Sequence, residues 1–246
     1  MRSWVLIALV AAVAAGCGGV LKKQYEYEEE LYLALDGSAI VNVNASVPAL
    51  VAMRGADLNV NPHSRFDRDR LRAFFEGPGA NVTALNASRR YGRRFVHVSV
   101  AVTDVTALQR LAPFAWSSYR FDRTGDVFEF KQLVGPSEAR SVGNVGWDGS
   151  ELVAFRLHLP SKIPFHNSPS RQIERGNILV WEETLADRQR GDPIDIQVQM
   201  EAQSILSRTL LLFGGTVVAA FATLGGVVWW VARRGRNEED GVMRRT

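Results

Sequence analysis

Residues 25–43 read YEYEEELYLALDGSAIVNV. Tyr25, Tyr27, Leu31, Leu33 and Leu35 share one face of an extended chain, Asp36-Gly37 offers a tight turn, and Ala39, Val41 and Val43 return. Alternation with period two marks a half-buried strand, and Asp-Gly between two such runs marks a hairpin. Glu26, Glu28, Glu29 and Glu30 spread over both faces of the first run. This predicts a solvated edge strand protected from aggregation rather than a cation site.

The same alternation continues along the chain. Val96, Val98, Val100 and Val102 form one apolar face, and Val153, Phe155, Leu157 and Leu159 form another. Gly125-Asp126 joins Tyr119–Asp122 to Val127–Leu133 as a second hairpin, and Asn177–Glu182 adds a strand. In the last run Ile194, Ile196, Val198 and Met200 alternate with Asp195, Gln197, Gln199 and Glu201. One solvated face implies antiparallel sheet rather than buried parallel strands. Helices are few. Ser64 can cap Arg65–Glu76, with Leu71, Phe74 and Phe75 toward the core and Gly77-Pro78-Gly79 as a stop; Asp104–Leu111 is a second, ended by Pro113. The Gly-rich segment Gly135–Gly149 reads as a link between two halves. The fold class expected is α+β, a mostly antiparallel sheet domain of roughly eight to ten strands and about two helices, followed by one C-terminal transmembrane helix.

Both ends carry membrane signals. Arg2 precedes 12 apolar residues, Trp4–Ala15, too short to span a bilayer but suited to a signal peptide. Ala14-Ala15-Gly16-Cys17 then resembles a lipobox, and Cys17 is the single cysteine of the chain. Residues 1–16 read as a signal peptide cut before Cys17, whose thiol takes the lipid. Ala14 stands where Leu, Val or Ile is usual, so cleavage by the general signal peptidase, or an uncleaved anchor, stays open. Near the other end, Thr209–Ala232 is 24 residues without a charge or a histidine, long enough to cross. Arg233, Arg234 and Arg236 follow it, and Trp229 and Trp230 fall at the interface. The basic cluster puts the C-terminus in the cytoplasm. The organisation expected is a signal peptide 1–16, an extracytoplasmic domain 17–207, a membrane helix 208–232 and a cytoplasmic tail 233–246. A helical span implies the plasma (inner) membrane. Gly215, Ala219 and Thr223 recur every four residues, a spacing that can support self-association.

The net charge of +3 comes from the termini; residues 18–207 hold 22 basic and 23 acidic side chains. With no recognition motif either, nucleic-acid binding is not expected. Arginine outnumbers lysine 25 to 4, and residues 18–207 contain no cysteine, which fits a bacterial envelope protein. The sequons at Asn44, Asn81 and Asn86 are then chance.

Motifs for catalysis are missing: no G-x-S-x-G, S-x-x-K, H-E-x-x-H, P-loop or EF-hand. No enzyme activity, cofactor or metal is expected. Of the histidines His63, His97, His158 and His166, the last two could converge from a loop, but exposed or hydrogen-bonded histidine is the plainer reading. Residues 65–94 carry eight arginines against Asp67, Asp69 and Glu76. Arg89, Arg90, Arg93 and Arg94 flank a turn at Tyr91-Gly92, a candidate site for anionic headgroups, with a solvated arginine hairpin as the alternative.

Leu159-Pro160 through Phe165-His166-Asn167, then Gly176-Asn177-Ile178-Leu179-Val180-Trp181-Glu182 and Leu185, resemble the LppM-type envelope lipoprotein domain. That family also starts at a lipidated cysteine, opens with an Asp-Gly hairpin and ends in a membrane helix. The resemblance implies an envelope-exposed mixed α/β domain that binds lipid or glycolipid, with Asn177 at a turn and Trp181 packed. The function expected is thus binding of an envelope lipid or glycolipid at the membrane surface. The alternative is a non-catalytic interaction or scaffold role with an envelope protein partner.

Overall fold

The computed structural model describes residues 23–203 and 205–243; residues 1–16, read above as a signal peptide, and Cys17 lie outside them. Ten strands form two sheets. They are β1 (Tyr25–Leu33), β2 (Ala39–Ser46), β3 (Ala80–Arg90), β4 (Arg93–Val102), β5 (Ser117–Thr124), β6 (Val127–Val134), β7 (Leu152–His158), β8 (Phe165–His166), β9 (Ile178–Thr184) and β10 (Ile194–Glu201). The larger sheet runs β3-β4-β2-β1-β7-β9 and the smaller β5-β6-β10-β8. Helices are α1 (Val47–Arg54), α2 (Arg68–Phe75), α3 (Leu185–Arg190) and α4 (Ile205–Met243). The architecture is α+β and mostly antiparallel, as the alternation implied. The exception is β1, which pairs in parallel with β7.

Alternate residues supply one shared core. Tyr27, Leu31 and Leu33 of β1, Val41 and Val43 of β2, Val96, Val98 and Val100 of β4, and Val153, Phe155 and Leu157 of β7 are buried. They join Phe130, Ile196, Val198 and Met200 of the smaller sheet in a single cluster. The expected division into two halves is therefore corrected. The chain from Gly135 to Glu151 is irregular, but it is tied down: Glu138 N–H donates to Met53 O and Arg140 N–H to Ala52 O.

Position in the sheet also overturns the acidic edge. β1 lies between β2 and β7, not at an edge. Glu26 and Glu29 are buried. Glu26 pairs with the buried Arg93 at 2.7 Å. Glu29 points into the core and accepts from Tyr27 Oη at 3.0 Å, Tyr119 Oη at 3.2 Å and Gln132 Nε2 at 3.0 Å. A buried carboxylate survives only with such partners. Burial raises the Glu29 carboxyl above its ordinary value, an effect partly offset by those hydrogen bonds.

The helices differ from expectation at their ends. Asp67, not Ser64, caps α2, accepting from Arg70 N–H at 2.9 Å. Ser64 is held in a preceding turn, its hydroxyl on Asn61 O. Residues Val105–Arg110 form a 3-10 helix under an Asp104 cap rather than an α-helix. Two helices had no sequence signal recognised, α1 and α3. Ser46, the last residue of β2, caps α1 directly, its Oγ accepting from Ala49 N–H at 3.1 Å. No turn residue separates strand from helix, so the boundary is hidden. Ser46→Ala is expected to cost about 1 kcal/mol, read as a lower urea midpoint in pulse proteolysis of the full-length protein.

Candidate functional site

The side of the larger sheet that faces away from the smaller one is graded from polar to apolar. At the turn end it carries Tyr32 on β1 and Ile40 on β2, directly opposite each other. They are 39% and 48% exposed, unusual for such side chains on a sheet. With Leu33, Val102, His158 and Pro160 they line an open cleft of about 540 Å³. Tyr32 stacks on the His158 ring, centroids 3.9 Å apart. Burial lowers the His158 pKa, and its Nε2 is buried without a hydrogen-bond partner. The imidazole thus adds a neutral, flat wall.

The chain enters α4 from this end. Glu201, the last residue of β10, donates its N–H to Lys162 O at 2.9 Å, and Lys162 is two residues beyond Pro160. Ala202 N–H donates to Asp126 O in the β5–β6 turn. α4 starts at Ile205 and holds Leu212–Trp230, a stretch long and apolar enough to cross a membrane. The four steps from Glu201 to Ile205 reach at most about 14 Å, so the cleft lies near the entry to that helix. Gly215, Ala219 and Thr223 are exposed on α4, with the Thr223 hydroxyl bonded back to Ala219 O.

Away from the cleft the same face is polar. Ser99 Oγ donates to Asn42 Oδ1 at 2.6 Å, and Arg156 pairs with Glu28 at 3.2 Å. His97 links Ser88 Oγ through Nε2 at 2.9 Å to Asn44 Oδ1 through Nδ1 at 2.8 Å. This line ties β3, β4 and β2 together. Burial, and then the nearby Arg90, lower the His97 pKa, so the ring is neutral at pH 7. Burial raises the Glu28 carboxyl, with Arg156 opposing it. The sequence pattern alone did not disclose the cleft. The signal available was the break in the outward pattern from Glu28 and Glu30 to Tyr32, and from Asn44 and Asn42 to Ile40. His158 and His166 have separate partners; the Nδ1 of His166 bonds Ser168 Oγ at 2.8 Å.

The four arginines proposed for headgroups are divided by the structure. Tyr91 and Gly92 both have positive φ, 52° and 71°, which gives the β3–β4 hairpin its tight turn. Arg89 and Arg90 are exposed on one side of it. Arg93 and Arg94 are buried on the other, 5% and 7% exposed. Arg93 binds Glu26 and donates to Val145 O at 2.9 Å. Arg94 donates to Pro62 O at 2.9 Å and to Ser64 O. Arg93 is held inside the fold, Arg94 also lines a small pocket with Arg65, Phe66, Asp67 and Arg70, and Arg89 and Arg90 are the members of the quartet exposed at the turn. Other arginines of the 65–94 stretch cap the exposed edge of β3: Arg68 donates to Leu85 O at 2.6 Å and Arg72 to Val82 O at 3.1 Å. Bonding edge carbonyls in this way guards the strand against pairing with another chain.

No protein-family model matches this chain, and no curated protein matches it. Among solved structures it is similar to the NMR structure of the LppM folded domain of Mycobacterium tuberculosis. The two are 12% identical over 74% of this chain and 94% of that one, with a TM-score of 0.38.

Proposed function

We propose that this chain is a membrane-anchored envelope lipoprotein whose extracytoplasmic domain binds an envelope lipid or glycolipid. The observation that carries this reading is the apolar cleft at the entry to α4. An acyl chain leaving the bilayer meets Tyr32, Ile40 and Val102 first, and a polar headgroup meets Glu30, Asn42 and Ser99 beyond them. In this reading Cys17 carries the N-terminal lipid and α4 crosses the plasma membrane with Arg233, Arg234 and Arg236 on the cytoplasmic side.

Native mass spectrometry of the full-length protein, released from a nanodisc made of membrane lipid, tests it. A lipid adduct is expected on the wild type. Ile40→Asp places a carboxylate where an apolar side chain contributes about 1.5–3 kcal/mol of contact, so bound lipid should fall at least about tenfold. Lipid held only around α4 would leave wild type and variant alike, which would transfer the cleft to a protein partner and favour the scaffold role.

A further inference from the structure

The loop between β8 and β9 is fastened at both ends beside the exit to α4. Asn167 Nδ2 donates to Asp195 O at 2.8 Å, and its Oδ1 accepts from Gln197 N–H at 2.9 Å, both on β10. Asn177 Nδ2 donates to Ser161 O at 3.0 Å. Ser161 precedes Lys162, whose carbonyl accepts from Glu201 N–H. Between these ties the main chain folds back on itself. Arg171 N–H donates to Ser168 O, and Glu174 and Ile178 exchange two hydrogen bonds. The loop leads into β9 at Ile178, which pairs with His158 at the end of β7. It therefore lies past the cleft end of the larger sheet.

Every residue from Pro169 to Gly176 is exposed. Ile173, 44% exposed, stands two positions from Arg171 on one side and two from Arg175 on the other. Phe165 of β8, opposite Gln199 of β10, is 48% exposed. Lys162 is exposed too and reaches Glu201 at 3.6 Å. Arg171 and Arg175 pair with no carboxylate among the described residues. A single exposed isoleucine needs no explanation. Two large apolar side chains among three basic ones, at the end from which a membrane-length helix leaves, have the composition of a surface that meets a bilayer interface.

The distances allow the contact. From Ile205 to Leu212, where the apolar stretch begins, α4 rises about 10 Å at 1.5 Å per residue. The headgroup layer on each side of a bilayer fills about 5–8 Å of that. Ile173 is four steps from Asn177, a reach of up to about 14 Å. We propose that the loop 167–177 docks on the leaflet that α4 enters, with Ile173 and Phe165 in the interfacial layer and Arg171 and Arg175 on anionic headgroups. The proposal rests on α4 as a membrane helix and not on what occupies the cleft. Each arginine near an anionic surface favours the docked state about fivefold, and the pair about thirtyfold. Docking holds the cleft, whose Pro160 is two residues from Lys162, at the headgroup level.

The test uses the full-length protein with photoreactive p-benzoylphenylalanine in place of Ile173, which keeps that position apolar. A second protein carries it in place of Tyr91, exposed at the other end of the larger sheet. Each is placed in nanodiscs of phosphatidylcholine, with or without phosphatidylglycerol, and irradiated; peptide mass spectrometry reads the lipid adduct. An adduct is expected at 173 and not at 91. Arg171→Ser with Arg175→Ser should lower it on the anionic discs and leave it unchanged on the neutral ones. Phe165→Asp should lower it on both. Ile40→Asp disrupts the cleft and should leave it in place; its loss there would assign the lipid to the cleft and overturn the proposal. A disc-bound chain without an adduct at 173, equal adducts at 173 and 91, or an adduct at 173 to a second copy of the chain would overturn it too. A chain that does not stay with the disc overturns it through α4 instead, and that failure is read before irradiation.

Discussion

Arg93→Ala is expected to destabilise the two-sheet domain by about 3–5 kcal/mol, the cost of leaving one partner of a buried ion pair alone. The lost partner of Arg93 is Glu26, fully buried at 2.7 Å in an interior strand. The variant also frees the carbonyls of Val145 and Gly146, which Arg93 holds at 2.9 Å and 3.3 Å. Those bonds fasten the long irregular chain between the two sheets, so protease should cut near residue 145 before the strands are lost. Arg89→Ala, four residues earlier and exposed, is expected to stay within about 0.5 kcal/mol of wild type. Glu26→Gln keeps the shape and removes the charge, and its cost should fall between the two. Pulse proteolysis of the full-length protein across a urea series measures all three. Equal midpoints for Arg93→Ala and Arg89→Ala would show that the quartet is one solvated cluster after all.

The contrast within this quartet explains what the sequence could and could not convey. Alternating apolar residues mark strands whatever their order in a sheet, so Val96–Val102 and Ile194–Met200 were legible. The Tyr91-Gly92 turn was legible too, because its chemistry is local. Partners are not local: Glu26 and Arg93 are 67 positions apart, and nothing in either neighbourhood announces the other. A run of four glutamates in five residues reads as solvent-facing by composition alone. It takes the parallel pairing of β1 with β7 to put that run inside the sheet. The cleft was hidden for a similar reason. Tyr32 and Ile40 belong to a hairpin whose inward face had already claimed the apolar residues, and their exposure follows from which face the smaller sheet covers. The long apolar stretch of α4, in contrast, is read from linear composition and needs no partner.

Glu29→Ala should be as damaging as the loss of Arg93, at about 3 kcal/mol or more, because it removes the acceptor of three buried donors, of which Gln132 Nε2 alone keeps others, Ser117 Oγ and Tyr119 Oη, and an unmet buried donor costs about 1–3 kcal/mol. The three donors are Tyr27 Oη, Tyr119 Oη and Gln132 Nε2, which converge on the carboxylate between the two sheets. The more informative variant is Glu29→Gln, which keeps the volume and cannot ionise. Burial raises the native Glu29 pKa above the ordinary glutamate value of 4.5. Between 4.5 and that raised value the folded chain holds a proton that the unfolded chain has released. Stability from this group is then fully present below pH 4.5 and is lost as pH rises through the native value. Glu28 and Glu183 are also raised from 4.5 and share this sign and window, while the remaining shifts have other windows or the opposite sign. Asp36, Asp148 and Asp187 are lowered from 3.8, so their contribution is lost only on acidification below that value. His97 and His158 are lowered from 6.5, and what they contribute is lost as pH falls below 6.5. Subtracting Glu29→Gln from wild type at each pH cancels those terms and leaves Glu29. The advantage of wild type over the variant should be largest near pH 4.5 and shrink toward neutral pH. A difference that grows with pH instead would mean that the carboxylate, with its three donors, is the form the fold prefers.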